Sequence, residues 1–254
     1  IAGMGLLGFI KVRLIRLQPL VVIGSILGLL TFLFDPFTNL YSTYGFKETA
    51  ILFITSVLLI PYPVMPERYF NLFSLNAPSW SLFWEYVANF VYATVLFKVT
   101  RTLLAPLLVL AAAGLFYVGW SSGNLLGGWS GGTFLDGLAR ISFSFLMGMF
   151  IYRSNWIIKN KLGLLGMSVL LMLAFLTPYN DQWNWLIEPL LVVFYFPLLV
   201  ALGAGASLSS NHHKINKLSG DISYPLYMTH YPFLFVFANY VVAEQPSMTE
   251  LSWV

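Results

Sequence analysis

Long apolar runs, broken by short polar or proline-rich stretches, dominate this chain from end to end. A hydrocarbon core about 30 Å thick takes roughly 20 apolar residues per spanning helix. Eight segments approach that length: Leu17–Phe34, Phe46–Tyr62, Ser79–Phe97, Leu103–Trp120, Phe134–Tyr152, Leu162–Thr177, Trp185–Gly205 and Ser223–Val242. Tyr41, Trp120, Trp129, Tyr152, Trp156, Tyr179 and Trp183 flank their ends, as aromatic residues do where lipid meets water. Gly123–Gly132 and Ser207–Lys217 read as connectors, and no tandem repeat is visible. The apolar stretch Ile1–Ile10 reads as the tail of an earlier helix, because no basic residues precede it and no small-residue cleavage site follows. The pattern predicts an all-α, polytopic transmembrane bundle.

Charge placement refines the count of crossings. Ten of the 13 Lys and Arg fall into four clusters, at Lys11/Arg13/Arg16, Lys98/Arg101, Arg153/Lys159/Lys161 and Lys214/Lys217. Basic clusters favour the cytoplasmic side, so an even number of crossings should separate Arg16 from Lys98. Three candidate segments lie between them. Phe46–Tyr62 is the weakest, being short and running into Pro61, Pro63 and Pro66. It is therefore predicted to enter and return, or to lie along the interface, leaving about seven true spans. Irregular backbone at membrane depth survives only when packed in protein or lining a wet cavity, which makes Phe46–Ser79 a candidate active-site element. Lys47, Arg68 and Arg140 are the basic residues outside the four clusters.

Composition agrees with that pattern and removes several function classes. Of 254 residues, 58% are hydrophobic and 9% charged, with a mean hydropathy of +0.78. Soluble domains carry about 25% charged residues. The net charge of +3 is accounted for by topology, and no nucleic-acid motif accompanies it. The absence of cysteine excludes disulfides, thiolate metal sites and a cysteine nucleophile, and no His/Asp/Glu spacing resembles a metal site.

Ionisable residues inside spans are costly and point to function. At 100° per residue, Ser81, Glu85, Asn89 and Tyr92 share one face of a helix; the bland alternative for Glu85 is a carboxylate capping a neighbour's backbone. Ser223, Tyr227 and His230 form a second polar line, and imidazole is the usual proton carrier near neutrality; a hydrogen-bonded packing histidine is the equal alternative. Arg13 and Arg16 fit one turn and could fork onto phosphate, or serve only as a topology anchor. Asp136 and Arg140, four apart, read as an internal pair. Glu188 is a weak signal, and His212 and His213 read as solvated loop residues.

Three motifs combine these residues. Phe9, Arg13, Arg16, Leu17 and Pro19 match Phe-x-x-x-Arg-x-x-Arg-Leu/Ile-x-Pro; Trp80, Ser81, Leu82 and Glu85 match Trp-Ser-Leu-x-x-Glu; Ser223, Tyr224, Leu226, Tyr227, His230 and Pro232 match Ser-Tyr-x-Leu-Tyr-x-x-His-x-Pro. In that order the chain resembles the acyltransferase-3 family of membrane-bound acyltransferases. The resemblance implies a fold of about ten membrane helices, of which residues 1–254 would form one domain lacking the first two helices and the last. It implies a multi-pass protein of the inner (plasma) membrane. The implied activity moves an acyl group, often acetyl, from cytoplasmic acyl-coenzyme A to a sugar hydroxyl of a surface glycan or lipid-linked precursor, with no bound cofactor. Arg13 and Arg16 would hold the donor, with Trp80, Ser81 and Asn89 at the substrate. Glu85 would orient a base, while Tyr227 and His230 would donate to the developing oxyanion. The family's proposed catalytic histidine lies in the first helix, upstream of this chain; His230 belongs to a different motif, and residues 1–254 alone are expected to be inactive. The rival expectation is a transporter or flippase for a lipid-linked sugar, against which no Gly/Pro-interrupted helices recur in two matching halves.

Overall fold

The computed structural model describes residues 5–207 and 210–251, with the side chains of 210–212 outside the description, so the reading of His212 falls outside it. The described residues are helical, with no strand among them, as the apolar pattern requires. The helices are α1 (Leu6–Leu33), α2 (Leu40–Leu58), α3 (Ser79–Thr94), α4 (Arg101–Ser122), α5 (Phe134–Ser154), α6 (Gly163–Phe175), α7 (Asn184–Leu190), α8 (Phe196–Gly205), α9 (Ser210–Thr229), α10 (Tyr231–Glu244) and α11 (Met248–Leu251). Four continuous helical stretches are long and apolar enough to cross a membrane: Leu6–Leu33, Arg101–Ser122, Gly131–Ser154 and Asn184–Gly205. The last contains a π-helical turn, Leu191–Tyr195, where Pro197 supplies no N–H to continue the α ladder. The helices α6 and α10 are shorter but apolar.

Three boundaries differ from the sequence reading. Leu6–Ile10 belongs to α1 rather than to an earlier helix, because Lys11 and Arg13 are good helix formers and do not interrupt the run. The predicted connector Ser207–Lys217 is helical from Ser210 onward; residues 213–223 are all exposed, so its polar composition marks an exposed helix face and not a loop. The segment Ser223–Val242 is not one helix: α9 ends at Thr229 and α10 begins at Tyr231. Pro232 causes the break, since it cannot donate to the carbonyl of Met228.

The chain divides into two compact units. One comprises Ile1–Leu6, Trp84–Gly128 and Thr133–Asp221, the other Leu7–Phe83, Trp129–Gly132 and Ile222–Val254. In the first, Leu104, Leu108, Leu115 and Val118 of α4 pack with Phe143, Leu146 and Met149 of α5 and with Val193. Trp84 is buried beside Phe134, their ring centroids 4.8 Å apart.

The second unit is built around irregular backbone. Helix α2 stops at Leu58, with Leu59 in the left-handed region and the N–H of Ile60 bonded to Thr55 O at 2.8 Å. Residues 59–78 then run without α-helix, and positions 71–79 are buried throughout. Such a segment is stable in an apolar setting only if its peptide groups are bonded. Tyr62 N donates to Leu72 O (2.8 Å), Leu72 N to Trp129 O (2.9 Å) and Gly131 N to Phe70 O (3.0 Å). Phe73 N donates to Asn71 Oδ1 (2.9 Å). The segment lies against α1 where two glycines leave room: a Cβ on Gly28 would overlap the carbonyl of Leu75, and one on Gly24 would stand 2.5 Å from Met228 O. Gly28→Ala is therefore expected to destabilise the protein by about 2 kcal/mol or more, the range of overpacked interiors. An unfolding midpoint matching the parent's in detergent would show that this contact does not hold the segment.

Candidate active site

The residues of two motifs meet in the second unit. Trp80 and Ser81 begin α3, and Tyr227 and His230 lie at the end of α9. Ser81 Oγ and Tyr227 OH stand 2.6 Å apart, and both lie within reach of the Pro78 carbonyl, at 3.1 and 3.4 Å. The break at His230 is stabilised across the unit. Asn76 Nδ2 donates to Met228 O at 3.0 Å, satisfying the carbonyl that Pro232 leaves without a partner. Asn76 and Ser79 are each 0% exposed. Their Oδ1 and Oγ atoms have no hydrogen-bond partner among the described residues.

The imidazole of His230 is fixed in one orientation. Its Nδ1 lies 3.0 Å from Leu226 O and 3.0 Å from Tyr227 O. Both partners are carbonyl oxygens and can only accept, so Nδ1 must carry the proton. In a neutral ring the lone pair is then on Nε2, which has no hydrogen-bond partner among the described residues.

Trp80, Tyr227 and His230 line a cavity of about 640 Å³. Trp80, Trp129, Tyr227 and Tyr231 give it aromatic walls, and Asn71, Asn239, Glu67, Arg68 and His230 add polar groups. Arg68 is 5% exposed. It closes a 3₁₀ turn, Pro66–Arg68, after which Tyr69 (φ 54) and Phe70 (φ 52) are both left-handed. Each costs a non-glycine residue roughly 1–2 kcal/mol, and strain of this kind gathers at functional sites. The bonds to Trp129 and Gly131 hold it in place. Burial lowers the Arg68 guanidinium to about 10, with Asp35 and Glu67 opposing the shift, so it is charged at neutral pH.

The first unit holds a cavity of about 670 Å³. Its walls are almost wholly apolar, and its two charged groups are already engaged. Arg140 Nη1 donates to Gly127 O at 2.5 Å, while Glu188 accepts from Leu125 N (2.5 Å) and Asn184 Nδ2 (3.1 Å). This arrangement suits internal bracing better than chemistry.

Not every residue singled out from the sequence joins the second unit's cavity. The boundary between units falls after Phe83, inside α3, so Glu85 and Asn89 belong to the first unit. Asn89 Nδ2 bonds the Glu85 main-chain carbonyl at 2.9 Å, and the Glu85 carboxylate has no hydrogen bond among the described residues. Arg13 is half-buried, its guanidinium 5.3 Å from the Phe9 ring, and Arg16 is exposed. Neither lines the cavity. Along α1, Arg16 precedes Phe32, which lies under Arg68 at 5.6 Å, by 16 positions, roughly 24 Å at 1.5 Å per residue. Asn71 and Asn239 escaped the sequence reading because they belong to no motif, and Trp129 showed there only as an aromatic flanking a span. Arg68 left one trace, as a basic residue outside every cluster that topology explains.

No curated protein matches the chain, and no solved structure does. A family model described as an acyltransferase domain, that of the acyltransferase-3 family, matches residues 1–254. The chain, an α-helical membrane protein with an acyltransferase signature over its whole length, belongs to the acyltransferase-3 family.

Proposed function

We propose that this protein moves an acyl group from acyl-coenzyme A to a sugar hydroxyl held in the second unit's cavity, as a multi-pass protein of the plasma (inner) membrane. The observation that carries the reading is the cavity wall. A pyranose has an apolar C–H face and a rim of hydroxyls. Two indoles, Trp80 and Trp129, suit the face, and the Asn71 and Asn239 amides suit the rim. His230 Nε2 is then available to take the proton of the attacking hydroxyl. That role differs from the oxyanion-donor role expected from the sequence, because Nδ1 carries the proton toward the two carbonyls. The hydroxyls of Ser81 and Tyr227 would position the acceptor. At the other end of α1, Arg13 and Arg16 would fork onto the phosphates of the donor, whose thioester arm would extend along the bundle. Glu85 would orient and charge-match a second base.

Full-length protein supplied with radiolabelled acetyl-coenzyme A and cell-envelope glycans tests the reading. Label should appear in carbohydrate as an alkali-labile ester. Label that stays in acetyl-coenzyme A while a lipid-linked sugar crosses the bilayer would favour the transporter instead. In the same assay, Arg13→Lys or Arg16→Lys should raise the KM for acetyl-coenzyme A about tenfold with kcat little changed, since charge is kept and the bidentate fork lost. If both variants behave as the parent does, the two arginines only anchor the helix.

A further inference from the structure

Arg68 is held in the cavity wall without enough protein partners. A guanidinium has five N–H donors. Among the described residues, one group, Nη1, is engaged, by the carbonyl of Ser74. The flat face rests 4.0 Å from the Phe235 ring centroid, which fixes the plane of the fork but accepts none of its in-plane hydrogens. Neither nearby carboxylate is hydrogen-bonded to it. Asp35 accepts from Asn239 Nδ2 through Oδ2 (2.7 Å) and from Phe37 N through Oδ1 (2.9 Å), and Glu67 Oε2 accepts from Tyr44 OH (2.7 Å). These acids keep the guanidinium charged while leaving its remaining donors open toward the cavity.

An almost fully buried cation with open donors is complementary to a ligand that brings its own negative charge. A sugar hydroxyl could accept one of these hydrogens, but a single oxygen fills only one position of the planar fork and brings no charge of its own. A carboxylate or a phosphate ester answers both requirements, with two oxygens matched to the planar fork. We propose that Arg68 receives an anionic group on the sugar acceptor, so that this acyltransferase acts on acidic rather than neutral glycans. The word acceptor rests on the acyl-transfer reading; the anion site itself does not.

Binding can therefore be read apart from transfer. Full-length protein in lipid nanodiscs would be titrated with methyl β-glucuronide, glucose 6-phosphate and methyl β-glucoside, following tryptophan fluorescence, since Trp80 and Trp129 line the cavity. At least one acidic probe should bind tenfold or more tightly than the glucoside, and more weakly as sodium chloride is added. Which acid wins identifies the group as carboxylate or phosphate. Arg68→Gln should abolish the preference, and Arg68→Lys should retain part of it. Equal affinity for all three probes in the parent protein would overturn the proposal with no variant needed. So would an undiminished acid preference in a folded Arg68→Gln protein. Absence of acyl transfer to every acceptor would count against the acyl-transfer reading and leave this comparison standing.

Discussion

His230→Asn should lower turnover by about 10²- to 10⁴-fold, the usual contribution of a positioned general base, while the folded yield stays near the parent's. The choice of asparagine follows from geometry. Its amide N–H sits close to where imidazole Nδ1–H sits, so it can still donate toward the carbonyls of Leu226 and Tyr227 that Nδ1 now contacts at 3.0 Å. It has nothing at the place of Nε2. The variant thus removes the proposed base and spares the contacts that hold the α9–α10 break. His230→Gln does the reverse, placing a polar group near Nε2 and losing the Nδ1 bonds, and should fold less well. Hydroxylamine offered in place of a sugar separates base catalysis from a packing role, because it attacks thioesters without help in losing a proton. The gap between parent and His230→Asn should narrow sharply with hydroxylamine. A gap of equal size with both nucleophiles would mean that His230 shapes the cavity and moves no proton.

What the sequence disclosed depended on the range of the interaction concerned. Spans such as Arg101–Ser122 and Phe134–Ser154 were legible to within a few residues, since an apolar run of that length has few other fates. The proline-rich stretch after α2 was also legible as irregular, because Pro61, Pro63 and Pro66 remove three backbone donors in six residues. The break at His230 was written in Pro232, but it reads as a tolerated kink until Asn76, 152 positions away, is seen to satisfy Met228 O. Arg68 shows the limit most plainly. Its neighbours Phe32, Ser74 and Phe235 come from three separate parts of the chain, and no local period brings them together. The sequence motif joins Glu85 to Trp80 and Ser81, yet the two halves of α3 belong to different compact units. Helical periodicity predicts a shared face and says nothing about what packs on it.

Glu85→Gln should reduce turnover per folded molecule by at least about 10²-fold, and it should not reduce the amount of folded protein. The second expectation follows from the carboxylate's surroundings. Glu85 is half-buried, and its side chain makes no hydrogen bond among the described residues, so the variant loses a charge and no contact. A partly buried charge without a partner costs more than a neutral amide of the same shape, so the glutamine protein should be at least as stable as the parent. A structural carboxylate would show the opposite pattern, since a capping role requires a donor for Glu85 to accept from, and its removal would lower stability first. The expected loss of turnover rests on the proposed role. An acid that matches the positive charge growing on an imidazole contributes by its charge, which an amide cannot replace; removal of such a partner costs roughly 10⁴-fold in the serine-protease triad. Turnover and unfolding midpoint, measured on the same preparations of parent and Glu85→Gln, separate the cases. Unchanged turnover with a raised midpoint would take Glu85 out of the chemistry and leave it as a charge that the fold tolerates.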